Sequence, residues 1–351
     1  MDRRVFLSLL GITTSAPALH WPTPEPIPYP TRFGKSPRIR LSTVDELDRM
    51  NADLRRLDDG GGGDALLFTV RTQLRLVVQL LDHSRYTDAT SQRLHSTAGE
   101  LMRLAGWLAF DSGKHAHAER YWQAALRTAH TAGDRALAAN TLGFMSCQAK
   151  DLGNPHQAVT LAESAHAEYP GASPRVSAIL ALRAAEAHAT NGSALECRRA
   201  IEEAFTKLDS SITTAPDWSY WLTPGHAHGQ AGFCYLQLGD HSNARRHFRH
   251  ALLLQDPAAA REGTLRHTLL ATTYVRQQEP DLDQALALAA LAATTLIDDV
   301  TSTRCLGHLN TLVRELSPHH RRPAVRQFAD QVHTATQRHR AFSAATSATR
   351  S

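Results

Sequence analysis

The feature that most constrains this sequence is a pattern of small residues that recurs along its middle. A glycine is followed by a small residue five positions later, and by an alanine seven positions after that. The four copies begin at Gly113, Gly153, Gly192 and Gly239. Two small residues seven apart lie on one helix face and let a neighbouring helix approach closely, while glycine permits a tight reversal between helices. The pattern therefore predicts antiparallel helix pairs, with a looser fifth copy around Ala285.

Helical periodicity extends beyond these copies, from about Thr43 to about Arg340. Apolar residues recur every three or four positions, alanine and leucine outnumber β-branched residues, and no long stretch alternates like a strand. Four glycines at 60–63 separate two helices that come before the first copy. We therefore expect an all-α, right-handed superhelix of antiparallel helix pairs, with N-terminal helices over 41–97, a repeat domain over 98–340 and a disordered tail over 341–351.

The first forty residues are interpreted as an arm and a proline-rich linker. Arg3 and Arg4 precede an apolar stretch, so residues 1–18 resemble a twin-arginine export signal with a cleavage site at 16–18. Only two residues precede the arginines, however, and the segment is short for such a signal. Every second residue from Pro22 to Pro30 is proline, which keeps the chain extended. We expect a cytoplasmic protein, with export as the alternative.

Composition and motifs favour a binding protein over an enzyme. The four cysteines lie far apart, without a CxxC pair, so neither a disulfide scaffold nor a zinc ribbon is expected. No phosphate-binding loop, nucleophile elbow or HExxH motif occurs, and no apolar run is long enough to cross a membrane. The two His-x-His pairs, at 115–117 and 226–228, point to different faces of a helix. The sequence therefore predicts no cofactor, no metal site and no catalytic residue.

The repeated unit resembles the tetratricopeptide repeat, a helix–turn–helix unit of about 34 residues. The fourth copy matches best, with small, aromatic, turn and proline positions filled by Gly232, Tyr235, Gly239, Ala244, Phe248, Ala251 and Pro257. Equivalent small residues are 39 to 47 positions apart, which is longer than the standard period. The resemblance implies a stack of helix pairs with longer helices or loops between the units.

Several longer segments are similar to one group of actinobacterial transcriptional regulators. They lie at 54–61, 104–111, 132–138, 182–189 and 216–218. These regulators join a helix-turn-helix DNA-binding domain to a tetratricopeptide-like domain, and the likeness covers only the second. It implies a regulatory protein, but direct DNA binding by this chain alone is not expected. A further alternative is that the chain is the C-terminal part of a DNA-binding regulator whose start was assigned too late.

Binding is expected on the concave side, which the first helices of stacked pairs line. The predicted groove residues are Arg103, Trp107, Phe110, Asn140, Arg183, Glu186, Phe233 and Gln237. Aromatic rings beside arginines and amides suit a peptide or protein partner. Two alternatives remain open, because Trp107 can instead fill the core between units and Arg183 can pair with Glu186. The lysine and asparagine clamp by which some tetratricopeptide proteins hold a C-terminal carboxylate is not reproduced.

Overall fold

The computed structural model describes residues 38–60, 64–210 and 215–348. These ranges hold fourteen α-helices: α1 (Leu41–Gly60), α2 (Asp64–His83), α3 (Asp88–Asp111), α4 (His115–Ala132), α5 (Arg135–Asp151), α6 (Pro155–Glu168), α7 (Pro174–Thr190), α8 (Ala194–Asp209), α9 (Pro224–Gln237), α10 (His241–Leu253), α11 (Ala260–Val275), α12 (Leu282–Asp298), α13 (Thr303–Leu316) and α14 (Pro323–Ala348). Within them, the extended backbone pairs only in one isolated bridge, between Arg38 and Arg85.

The helices form the predicted all-α, right-handed superhelix of antiparallel pairs. Consecutive helices pair as α3 with α4, α5 with α6, α7 with α8, α9 with α10, and α11 with α12. In the first four pairs, the turn contains one of the glycines that the sequence pattern singled out. Their φ angles lie between 74° and 78°, at Gly113, Gly153, Gly192 and Gly239. This left-handed backbone is the reason for glycine at these positions, so the predicted reversals are confirmed.

Close contact within a pair depends on the small residues of the repeat. Gly232 on α9 lies against the ring of Phe248 on α10, and a Cβ atom at Gly232 would be 2.8 Å from that ring. Gly106 on α3 lies in the same way against the indole of Trp122 on α4. Ala251 is completely buried. In these two pairs, the second helix therefore packs a large ring into the space left by a missing side chain on the first.

The superhelix closes on itself, so that its first helices contact its last ones. Asp58 near the end of α1 accepts two hydrogen bonds from Arg261 on α11, at 2.8 and 3.1 Å. Asp111 at the end of α3 accepts a hydrogen bond of 2.9 Å from the hydroxyl of Ser302, just before α13. Helix α14 also contacts α2. This closure turns the concave side into a central cavity.

Two predicted domain boundaries can be placed on these elements. The boundary at residues 97 and 98 lies within α3, whereas α14 continues past residue 340 to Ala348. The arm over 1–40, including the twin-arginine-like segment, lies outside the described residues except for positions 38–40. In the described part of the chain, no helix is both long and apolar enough to cross a membrane.

Candidate functional site

The candidate site is the central cavity, which has a volume of about 570 Å³. Its walls come mainly from the odd-numbered helices α1 to α13, and from the segment that contains Trp218, Tyr220 and Trp221. Helices α3, α5, α7, α9 and α11 are the first members of their pairs, as the repeat frame predicts for a concave surface. Helix α1 adds a wall that the repeat frame alone does not provide.

Six of the eight predicted groove residues line this cavity. They are Arg103, Trp107, Phe110, Arg183, Glu186 and Phe233. Asn140 is buried on α5 but lies outside the lining, and Gln237 is exposed at the end of α9, also outside it. The structure therefore brings the six together in one space and separates the other two from them.

Aromatic rings form one side of the cavity. The ring of Trp107 lies 5.8 Å from that of Phe110 and 5.5 Å from that of Phe144, measured between centroids. The indole N–H of Trp107 donates a 2.9 Å hydrogen bond to Asp58. Trp107 is half-buried and lines the cavity, so it packs between repeat units and also presents surface to the cavity.

Cations lie over these rings. Arg261 and Arg304 are 5.4 and 5.3 Å from the centre of the Trp107 ring. Lys150 is 4.2 Å from the centre of the Phe233 ring. Such cation–π contacts gain strength where water is excluded, because the ring replaces part of the lost hydration. The aromatic and the charged parts of the lining are therefore one connected structure.

Glu186 on α7 is the centre of a buried polar network. Its carboxylate lies 3.4 Å from the ammonium of Lys150 and 3.6 Å from the guanidinium of Arg183, and it accepts a 2.9 Å hydrogen bond from Gln230. The predicted pairing of Arg183 with Glu186 is thus confirmed. Burial alone would raise the pKa of Glu186. The charges of Lys150 and Arg183 lower this pKa by more than burial raises it, so the pKa lies below its usual value. Glu186 is therefore ionised at neutral pH.

Arg103 differs from the other buried cations of the lining. It is buried on α3, and no described residue forms an ion pair or a hydrogen bond with its guanidinium. Its charged group lies 5.3 Å from the centre of the Phe144 ring. Burial, together with the nearby charge of Arg55, lowers the pKa of Arg103 to about 9.

The histidines do not form a metal site in the described part of the chain. His226 lines the cavity and lies 3.7 Å from Glu262, whereas His228 lies 3.0 Å from the ring nitrogen of His247. The predicted divergence of His226 and His228 is confirmed. Among the described residues, no group of three histidine, cysteine or acidic side chains is arranged to bind a metal ion. His247 is itself buried.

Two site residues escape sequence reasoning. Asp58 lines the cavity and Asp111 pairs with the lining residue Arg304, and both carboxylates are buried. In α1, the only signal is that Asn51, Arg55 and Asp58 lie four and three positions apart, and so share one face with its apolar residues. Nothing in the repeat pattern indicates that this face turns inward, because its partners lie on distant helices.

Comparisons with known proteins do not identify a family. No protein-family model matches the chain, and no curated protein matches its sequence. Among solved structures, it is similar to a chain of the APC/C hetero-tetramer Cut9-Hcn1, with 14% identity and a TM-score of 0.42 over 77% of this chain and 46% of that one. It is also similar to a monomeric mutant of IFIT1 with m7Gppp-AAAA, with 14% identity and a TM-score of 0.43 over 85% of this chain and 68% of that one.

Proposed function

We propose that this protein is a non-enzymatic binding module that holds a peptide, or a segment of a protein partner, in its central cavity. The observation that carries this proposal is that successive inner helices direct aromatic and charged side chains into one space of about 570 Å³. Ligand cavities typically measure about 300–1,000 Å³. Rings bind apolar side chains of a peptide, and the charged groups bind its polar ones. Because the superhelix closes around this space, a short peptide suits it better than a folded domain.

The chemistry of the cavity favours binding over catalysis. Burial raises the pKa of the Cys147 thiol to about 11, so the thiol is protonated at neutral pH and is a weak nucleophile. Asp58 is paired with Arg261. Glu186 lies beside Lys150 and Arg183, which lower the pKa of its carboxyl group, so Glu186 is a poor proton acceptor at neutral pH. The carboxylates therefore neutralise the neighbouring cations and hold them in place, and they are not suited to transferring protons.

A regulatory role in the cytoplasm is the second part of the proposal. It rests on the resemblance of five segments to the tetratricopeptide-like half of actinobacterial regulators, and on the division into an arm, N-terminal helices and repeats. The intact mass of the protein from its native cells tests the location. A species that begins at Leu19 would show export and contradict the cytoplasmic assignment, while leaving the binding role unchanged. Sequencing the DNA upstream for an in-frame helix-turn-helix tests the remaining alternative.

The binding role is tested by filling the cavity. Cys147 is buried, lines the cavity and lies on α5, so Cys147→Trp places an indole in the space that a peptide would occupy. Leu152, which follows the same helix, is about half exposed, and Leu152→Trp is the matched control. A displayed library of random peptides is selected on the unmodified protein, and the affinities of the enriched peptides are then measured for both variants.

We expect Cys147→Trp to lose binding at least tenfold, and Leu152→Trp to retain it. Phe233→Ala is a second cavity variant, in case Cys147→Trp does not fold, since it removes a half-buried ring of the lining. Circular dichroism of each variant checks that the helices are intact. Failure to enrich any peptide, or equal binding by folded cavity variants, would contradict the proposed function.

A further inference from the structure

Nearly all cations of the cavity have an ion-pair or hydrogen-bond partner, and the exception is Arg103. Arg261 pairs with Asp58, Arg304 with Asp111, and Lys150 with Asp151 and Glu186. Arg266 lacks a carboxylate partner but donates hydrogen bonds to the carbonyl oxygen of Ala251 and to Gln255. Arg103 has neither kind of partner among the described residues.

The position of Arg103 makes this lack significant. Only 4% of its surface is exposed, it lines the cavity, and its Nε atom is buried without a hydrogen-bond partner. The ring of Phe144 lies 5.3 Å from the guanidinium carbon. A ring offers partial compensation for the charge, but it does not satisfy the five N–H donors of a guanidinium.

The neighbours of Arg103 do not supply the missing acceptor, because each is already engaged. The carboxylate of Asp58 binds Arg261 and the indole of Trp107. Arg55, which is also cationic, pairs with Glu100 and Asp217. The hydroxyl of Tyr220 donates to Asp59. Within the described residues, the free donors of Arg103 therefore face the cavity and not a protein acceptor.

A buried, unpaired guanidinium is unfavourable for the unliganded fold, because it has lost its hydration without gaining a counter-ion. Such a group gains its partner when a ligand brings a negative charge into the cavity. The planar fork of arginine matches the two oxygens of a carboxylate. The adjacent rings of Phe144 and Trp107 then provide an apolar surface for the part of the ligand next to that carboxylate.

We propose that Arg103 is the anchor for a carboxylate of the ligand, so that the cavity takes an acidic peptide or a peptide with a free C-terminal end. The proposal rests on the binding role of the cavity and adds the ligand class to it. The anchor is a single arginine beside an aromatic wall. Because Arg103 gains its partner only from a ligand, replacing it by an apolar side chain of similar length does not destabilise the unliganded protein.

The experiment compares the full-length protein with Arg103→Met by thermal unfolding, first alone and then with defined probes. The probes are three dipeptides with an acetylated N-terminus: Gly-Phe with a free C-terminus, Asp-Phe amide, and the neutral Asn-Phe amide. The first two carry the carboxylate at the chain end and in a side chain, which distinguishes the two sources. Arg135→Met, at a half-exposed position at the start of α5, controls for the loss of one positive charge.

We expect at least one carboxylate probe to raise the melting temperature of the unmodified protein and of Arg135→Met, with a dependence on its concentration. The neutral probe leaves both unchanged, and Arg103→Met responds to none. Alone, Arg103→Met melts at or above the temperature of the unmodified protein. Arg103→Lys keeps the charge without the fork, and its response to the probe is expected to be at least threefold weaker.

Three results would overturn the proposal: no carboxylate probe stabilises the unmodified protein, Arg103→Met responds as strongly as that protein, or Arg103→Met unfolds at a lower temperature or fails to fold. These results are distinguishable from a failure of the proposed function. Peptides that depend on the cavity but not on Arg103 would leave the binding role standing. A carboxylate response through Arg103, without any enriched peptide, would keep the anchor and contradict the peptide-binding role.

Discussion

At the scale of single residues, two kinds of position in this protein are sensitive to change. The first is a helical glycine that a neighbouring ring covers, such as Gly232 beneath Phe248. The second is a buried group whose charge depends on its surroundings, such as His247. Glycines of the first kind are visible in the sequence, because Gly106 and Gly232 each lie seven positions before the turn glycine of their copy. Groups of the second kind are not, since their environment comes from other helices.

Replacing Gly232 by alanine tests the close packing of a helix pair. The new Cβ atom would lie 2.8 Å from the Phe248 ring, so the two helices have to separate. We expect Gly232→Ala to lower the free energy of unfolding by about 1–3 kcal/mol, as overpacking of a core typically does. Gly307 on α13 is the matched control, since a Cβ atom there meets nothing within 4 Å. Urea unfolding of Gly307→Ala is expected to show unchanged or slightly higher stability.

Acidification tests the buried His247, whose ring nitrogen lies 3.0 Å from that of His228. Burial, and then the charges of His228, Arg246 and His250, lower the pKa of His247 to about 4. The unfolded chain therefore binds a proton near pH 6.5 that the folded chain takes up only near pH 4. The stability due to neutral His247 is thus complete above pH 6.5 and is lost as the pH falls towards 4. We expect a loss of up to about 3 kcal/mol over this window, and a flatter urea-unfolding profile for His247→Gln. If the free energy of unfolding falls equally steeply with pH in the unmodified protein and in His247→Gln, the loss of stability does not come from His247.

At the scale of helices and helix pairs, much of the molecule follows from the sequence. Helical periodicity predicts α1 to end at the glycine run, and the helix ends at Gly60. The Gly–Ala–Ala pattern places four reversals correctly, because each requires a residue that tolerates positive φ. The same frame brings six of eight candidate residues to the cavity. It misplaces Asn140 and Gln237, because each lies one turn along its helix from a lining residue, Phe144 or Phe233, on the same face but beyond the cavity.

A larger side chain at Ala251 tests the repeat frame within one helix. Ala251 on α10 is completely buried, so Ala251→Leu forces α10 away from its neighbours. We expect the free energy of unfolding to fall by about 1–3 kcal/mol. Ser242→Leu, at an exposed position on the same helix, makes a similar increase in volume and is expected to change stability by less than about 0.5 kcal/mol. Equal effects of the two variants, measured by thermal unfolding, would show that Ala251 is not at a close contact.

At the scale of the whole molecule, the decisive feature is closure of the superhelix, which the sequence does not predict. Asp58 and Arg261 are 203 positions apart, and their contact depends on the accumulated curvature of all the intervening helix pairs. Periods of 39 to 47 residues add loops and longer helices whose effect on curvature is not contained in the repeat pattern. For the same reason, the wall formed by α1 and the matching of buried charges are properties of the closed structure.

The pair of Asp58 and Arg261 allows a test of closure. Both side chains are buried, so Arg261→Leu leaves a buried carboxylate without its cation and is expected to destabilise the protein by about 3–5 kcal/mol. Adding Asp58→Leu removes that charge, so the double variant is expected to lose less than the sum of the two single variants, as urea unfolding of all three measures. Arg49→Leu, which removes an exposed pair with Glu46, is expected to cost less than about 1 kcal/mol.

Because the pair of Asp58 and Arg261 joins the first and eleventh helices, small-angle scattering of Arg261→Leu is expected to show a larger radius of gyration. An unchanged radius in a destabilised Arg261→Leu would mean that the other contacts between the two ends hold the superhelix closed without this pair.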